Sequence, residues 1–267
     1  MDLRARVRGV FESDEDLIAG LPSFAFAVER STALLARCVN TLGGVETPGA
    51  EAVRNLSLGA REALLLEVRR RTFGERMECV QPCPACRGKM SFEVRVEDLI
   101  QLGPKRQPER FAEIFTVDGM EFRVRCRVPT GADLEIAVGA MGASQHAAVK
   151  TLLGRCLEDV RRGGDTVSPA ELPEKLVSAL SARMVELDPL AEIRLDLTCP
   201  GCGIKFDVLF DAGEYLIAEL EMWQKKLFQE VHRLALAYHW REEDILRMQP
   251  RKRRIYLDLL AMEEANE

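Results

Sequence analysis

Two copies of one four-residue pattern, Cys83-Pro84-Ala85-Cys86 and Cys199-Pro200-Gly201-Cys202, restrict this chain more than anything else in it. A two-residue gap inside a tight turn lets the two thiolates of one knuckle converge on one metal, and two knuckles complete the four soft tetrahedral ligands that zinc takes. A lone CxxC is unspecific, whereas a pair of them is a specific signal. The spacing therefore assigns Cys83, Cys86, Cys199 and Cys202 to one shared, structural Zn2+. Cys86 and Cys199 lie 113 positions apart, so a shared ion ties two distant segments into one zinc-ribbon-like element. Such an ion contributes on the order of 10 kcal/mol of apparent binding energy to folding. The proline after each first cysteine fixes a dihedral. The glycine after each second cysteine, Gly203 directly and Gly88 one position late, offers the positive φ that the returning chain needs.

Two other readings compete for the same cysteines. The thiols could be unmetallated relics on hairpins that pack for their own sake, or a CxxC could be redox-active. A redox motif wants its first cysteine at a helix start, where the thiolate is favoured, but here alternating strands flank both motifs. Cys79, four positions before Cys83, reads as a core thiol beside the ligands, and Cys38, Cys126 and Cys156 sit singly in helix-like or strand-like segments. Eight cysteines in 267 residues are sparse for a secreted disulfide scaffold, so bound metal in a reducing compartment is preferred.

Each knuckle is embedded in the same surroundings. Met77–Val80 and Met90–Val96 alternate on either side of the first, and Ile193, Leu195, Leu197 and Phe206, Val208, Phe210 alternate around the second. Both predict a hairpin with the CPxC turn at its tip. A glycine, a lysine and an acidic entry to a helix follow each one, which makes a short two-fold repeat rather than a solenoid. A third hairpin is predicted by Phe115–Val117, the turn Asp118-Gly119 and Phe122–Val128.

Helical periodicity accounts for most of the rest. Phe24–Leu42 reads as a helix stopped by Gly43-Gly44, with GGVETPGAE as a loop. The run from Leu58 reads as an amphipathic helix, capped by Ser57 and stopped by Gly74, with Leu65, Val68 and Phe73 opposite Arg61, Arg69 and Arg70. Thr130 or Asp133 caps the next helical stretch, Ala143–Val160 reads as helix, and another helix begins near Leu172 and ends at Asp188-Pro189. Ala212–Trp240 reads as one long helix, followed by Arg241–Met248 and Pro250–Met262. The fold class is α+β, a helix-rich body with a zinc-ribbon-like pair of CPxC hairpins and a further hairpin. Residues 1–55 form an N-terminal helical or irregular segment. A single domain over 56–262 carries ribbon halves at 77–96 and 192–210, a helical insertion at 130–188 and C-terminal helices at 212–262.

A net charge of −6 disfavours nonspecific binding of nucleic acid. The N-terminus lacks the apolar run of a signal peptide, and no stretch approaches 18 apolar residues, so a cytosolic chain with protein partners and no membrane is expected. His146, His232 and His239 have no metal-binding spacing and read as packed or capping residues, with no nucleophile elbow or phosphate loop elsewhere. Arg251–Arg254 reads as a solvated helix face, and Trp223 and Trp240 as core. No enzyme and no small-molecule substrate are expected.

The ordered set of motifs resembles the T-even-phage-type baseplate protein family of contractile-tail phages and related contractile injection systems. The resemblance runs from about Leu56 to Leu260. It rests on Leu64-Leu65-Leu66, Thr72-Phe73-Gly74, the first CPxC, Pro129-Thr130-Gly131-x-Asp133, Asp188-Pro189, the second CPxC with Gly203, and Asp211. It continues through Glu230-Val231-His232-x-Leu234-Ala235, Tyr238-x-Trp240 and Arg253-Arg254-x-Tyr256-Leu257. Two positions depart from it: Arg87 stands between the first CPxC and its glycine, and His239 stands where a glycine is common. The resemblance implies a noncatalytic baseplate component or hub assembly factor whose partners are other baseplate or tail proteins. It leaves the particle, or the cytoplasm during assembly, as its location. A zinc-ribbon nucleic-acid-binding or adaptor protein is the alternative, but Glu78, Glu93, Glu97, Asp196, Asp207 and Asp211 offset Arg87, Lys89, Arg95 and Lys205 on the ribbon.

Overall fold

The computed structural model describes residues 5–10, 27–103, 110–139 and 144–265. Its organising element is α2 (Leu58–Phe73), whose Ser57 hydroxyl accepts the Ala60 N–H and whose stop is Gly74 at φ 94°. Leucines on three consecutive positions, Leu64, Leu65 and Leu66, are all buried because neighbours surround this helix. α1 (Ala27–Cys38), the helical turn Pro189–Glu192 and the start of the long α6 (Ala212–Tyr238) pack around it, sharing one core through Leu34, Leu35, Leu190, Leu216 and Leu220.

That enclosure overturns the amphipathic expectation for α2. Arg61 and Arg69, expected on a solvated face, are both buried. A buried guanidinium must have its donors satisfied. Arg61 donates to the carbonyls of Val53 and Val28 and to the hydroxyl of Thr32 at 2.8 Å. Arg69 makes a two-pronged bond with Glu219 of α6 at 2.7 and 2.9 Å and donates to the carbonyls of Gly74 and Arg76. Burial depth depends on elements far away in the chain, so helical periodicity alone could not register it.

α2 leads into the hairpin of β1 (Arg76–Pro82) and β2 (Lys89–Arg95), paired antiparallel from Arg76–Arg95 to Pro82–Lys89. A second two-stranded sheet, β6 (Ile193–Thr198) with β7 (Lys205–Phe210), runs directly into α6, whose N-terminus is capped by Asp211 accepting the Glu214 N–H. Between them lies a separate lobe. β3 (Arg110–Val117), β4 (Met120–Arg127) and β5 (Leu157–Arg162), with Asp165–Thr166 at the far edge, form one antiparallel sheet in that order. Asp118 and Gly119, both at positive φ, make the β3–β4 turn, as a two-residue hairpin requires. α3 (Gly131–Gly139), α4 (Gln145–Cys156) and α5 (Glu174–Leu187) accompany the sheet. Phe122, Val124, Leu153, Cys156, Val160, Leu176 and Leu180 form its core.

Two helix expectations ended too late. The first helix stops at Cys38, and Val39–Leu42 is a strand paired with Arg6–Val7 and Val45–Glu46, so Gly43-Gly44 is a hairpin turn. The expected start at Phe24 lies outside the described residues. The helix expected over Ala143–Val160 stops at Cys156, and Leu157–Arg162 is β5, with Val160 opposite Val124. Ala143 lies outside the described residues. In both places two apolar residues stand three apart, a helical spacing, and strand pairing decides the outcome.

α7 (Pro250–Glu264) folds back along the second half of α6, beyond the main core, with Val231, Leu234, Ile245, Leu257 and Leu260 in a small core of their own. Tyr238 and Trp240 stack at 4.6 Å with Tyr256 edge-on. No described helix is long and apolar enough to cross a membrane. The architecture is α+β: long helices and small antiparallel sheets.

Candidate metal centre

The two CPxC turns meet. The Sγ atoms of Cys83, Cys86, Cys199 and Cys202 all lie within 4.8 Å of one another, the one such grouping of potential metal ligands among the described residues. Across the knuckles, Cys83 Sγ is 3.6 Å from Cys202 Sγ, and Cys86 Sγ is 3.7 Å from Cys199 Sγ. Cys83 and Cys199 are buried; Cys86 and Cys202 face outward.

Local backbone geometry puts them there. In the first knuckle the Arg87 N–H donates to Cys83 O at 2.9 Å and the Cys83 N–H to Gly88 O at 3.0 Å. In the second, the Gly203 N–H donates to Cys199 O at 2.9 Å and the Cys199 N–H to Ile204 O at 2.9 Å. The turns are therefore equivalent bond for bond, with Arg87 matching Gly203. Gly203 takes its left-handed conformation at φ 74°, but in the first knuckle Arg87 takes it, at φ 59°. The expectation that Gly88 supplies the positive φ is corrected: the turn requires it at the residue just after the second cysteine. Gly88 takes no positive φ, and its counterpart in the second knuckle is Ile204.

Behind the thiols the contact between the hairpins is thin. Met90 is buried beside Cys83 and Cys199, with Phe92, Leu197 and Phe206 half-buried against them. β1–β2 and β6–β7 are separate sheets. What orients the hairpins is their attachment to α2 and α6. Arg69 fastens the start of β1 to Glu219, and the Tyr215 hydroxyl donates to Glu78 O at 3.0 Å. Cys79 belongs to the main core and is not among the converging thiols.

Electrostatically the thiols of the cluster differ. The backbone N–H groups of Cys86 and Ala85 point at the Cys83 sulfur and draw its pKa down to about 6, against the opposing effect of burial. The Ile204 N–H acts the same way on Cys202, but the surrounding thiols, Cys199 first, together with burial push that group up to about 12. The charged form is thus favoured at Cys83 and opposed at Cys202 by the thiols around it.

The remaining sequence candidates do not assemble a site. His146 pairs with Glu174 at 3.2 Å. His232 lies on an open groove along α6, and His239 ends that helix in a left-handed conformation at φ 56°. His239 thus fills the left-handed capping position that glycine usually takes. Trp223 meets Phe73 edge-on at the margin of the main core. Within Arg251–Arg254, Arg253 is buried, donating to Met248 O at 2.8 Å and approaching Glu230, so only its neighbours form a solvated face.

Sequence reasoning missed one ionisable group, Glu62. It lines a pocket of about 270 Å3 with Arg61, Asp211 and Glu214, and accepts the Ala212 N–H at 2.9 Å. Burial, with the Asp211 charge adding to it, pushes its carboxyl up to about 8. Its place on the inner side of α2 became visible only once the neighbours of that helix were known.

Residues 28–215 match the family described as T4 bacteriophage base plate protein. No curated protein and no solved structure matches the chain.

Proposed function

The chain belongs to the T4 bacteriophage base plate protein family, and from that membership we propose that it is a noncatalytic baseplate component or hub assembly factor of a contractile tail or tail-like injection system. One structural Zn2+ held by Cys83, Cys86, Cys199 and Cys202 staples it. The observation that carries the metal assignment is the convergence of four thiols from two distant turns. In a tetrahedral site with zinc–sulfur bonds of about 2.3 Å, neighbouring sulfurs are about 3.8 Å apart. The cross-knuckle distances of 3.6 and 3.7 Å fit that edge.

When bound, zinc would supply positive charge and a rigid joint, and nothing more, because four thiolates fill its coordination shell. The protein's own groups do the rest. N–H groups of the first knuckle favour the charged form of Cys83, and Pro84 and Pro200 restrict the turns. The joint locks together the tips of two hairpins whose bases are already oriented by their attachment to α2 and α6, the helices from which the main core is built. A body with fixed faces suits a part that must fit neighbours in an assembly.

Partners on this reading are other baseplate or tail proteins. Coexpression with the tail proteins of the same particle, followed by purification at moderate salt, tests it. Stoichiometric recovery of a tail protein with the chain is the expected result. Recovery of the chain with nucleic acid, and without any tail protein, would favour the zinc-ribbon nucleic-acid alternative.

A further inference from the structure

The C-terminal helix α7 is apolar on two opposite faces. Leu257 and Leu260 turn inward onto Val231 and Leu234 of α6. Ile255, Leu259 and Met262 stand at i, i+4 and i+7 on the outer side, 54%, 46% and 65% exposed. That spacing places them in one stripe along the helix. A solvated helix face has no need of a continuous apolar stripe, and such patches mark contact surfaces.

The charges around the stripe say what covers it. The helix opens with Arg251, Lys252 and Arg254, all exposed, and closes with Glu263 and Glu264; its first turn has no acidic residue and its last turn no basic one. This polarity opposes the helix macrodipole, which favours negative charge at the N-terminus and positive charge at the C-terminus. An antiparallel copy of the same helix reverses the mismatch at both ends at once, bringing each acidic end to the other's basic start. A parallel copy would set basic end against basic end.

We propose that two copies of this chain associate through the outer face of α7, antiparallel, about a two-fold axis near the middle of the helix. Ile255 and Leu259 of each copy interleave, and Arg251 and Lys252 of one face Glu263 of the other. Asp258 is bonded to Arg254 and Glu264 to Arg233, each at 3.0 Å, so recognition falls on Arg251, Lys252 and Glu263. A two-fold contact of this kind uses one patch twice. One helix per copy is a small interface, so the pair forms and dissociates with concentration.

The test is the mass of the full chain in solution by sedimentation over a dilution series. The expected result is a dimer at high concentration that dissociates on dilution. Leu259→Glu should give a monomer throughout, with thermal unfolding unchanged because the residue is exposed. Arg251→Glu with Lys252→Glu, and separately Glu263→Lys, should each weaken self-association at least tenfold, while mixing the two variants restores the dimer. A wild-type chain that stays monomeric at every concentration overturns the proposal. So do a dimeric Leu259→Glu variant, charge variants that pair as well as wild type, or a mixture that does not recover.

Discussion

The pair of CPxC hairpins and the four-stranded lobe are both small antiparallel β structures, yet they are held together by different means. The lobe encloses Phe122, Val124, Cys126, Leu153, Cys156, Val160, Leu176 and Leu180 between its sheet and helices, a core able to support itself by burial of apolar surface. Where the hairpins meet, they bury Met90 and two of their own cysteines, and no ladder joins their sheets. Cysteines show the contrast directly. Cys126 and Cys156 are fully buried in the lobe, and burial pushes both thiols up to about 12, so they behave as small apolar side chains. In the knuckles, N–H groups pull Cys83 down to about 6. The same residue type packs singly in the lobe and clusters at the hairpin tips, where backbone N–H groups reach the sulfur of Cys83.

The largest effect should come from breaking the hairpin joint. Cys199→Ser removes one of four ligands, and we expect loss of the ion and destabilisation by about 5 kcal/mol or more, read from metal content and denaturant unfolding together. Next is the lobe. Phe122→Ala, at a fully buried position, should cost about 3–4 kcal/mol, and by the same amount with or without a chelator present. A chelator that erased the difference between wild type and Phe122→Ala would mean that the two regions are not independently supported.

A smaller effect separates the joint from the helix that leaves it. Glu62 has a folded pKa of about 8 against an ordinary 4.5, so its charge opposes folding. That cost is absent below the ordinary value, grows as pH rises through the interval and is complete above about 8. Glu62→Gln keeps an acceptor for the Ala212 N–H, and should leave stability unchanged below the window and raise it by about 1 kcal/mol or more above it. Urea unfolding on both sides of the window checks this. The smallest change concerns the knuckles themselves. Arg87→Gly relieves a left-handed conformation at φ 59° and should stabilise the metal-bound chain by about 1 kcal/mol, whereas Gly203→Arg should cost about as much; equal stability for both would contradict the equivalence of the two turns.

Features whose cause is local were legible in the sequence. Ser57 and Gly74 delimit α2, Asp118-Gly119 turns a hairpin and both CPxC tips sit between alternating strands, because caps, turns and ligand spacing act within a few residues. The strands after Cys38 and Cys156 read as helix because Val39 and Leu42, and Leu157 and Val160, keep helical spacing, although each pairs with a distant strand and with its own following segment. Arg61, Arg69 and Arg253 were read as surface charge and are buried; no sequence window shows that carbonyls and carboxylates from other elements converge on them. At the site, the spacing picks out the four thiols that converge, but it places the turn residue one position off, at Gly88 instead of Arg87, because glycine is the usual carrier of positive φ and arginine is not.

Metal content by elemental mass spectrometry, on chain purified without an affinity metal, is the most direct test of the staple. One zinc per wild-type chain, with none retained by Cys199→Ser, is the predicted result. No metal in the wild-type chain, with all eight cysteines titrating as free thiols and the fold intact, would contradict it.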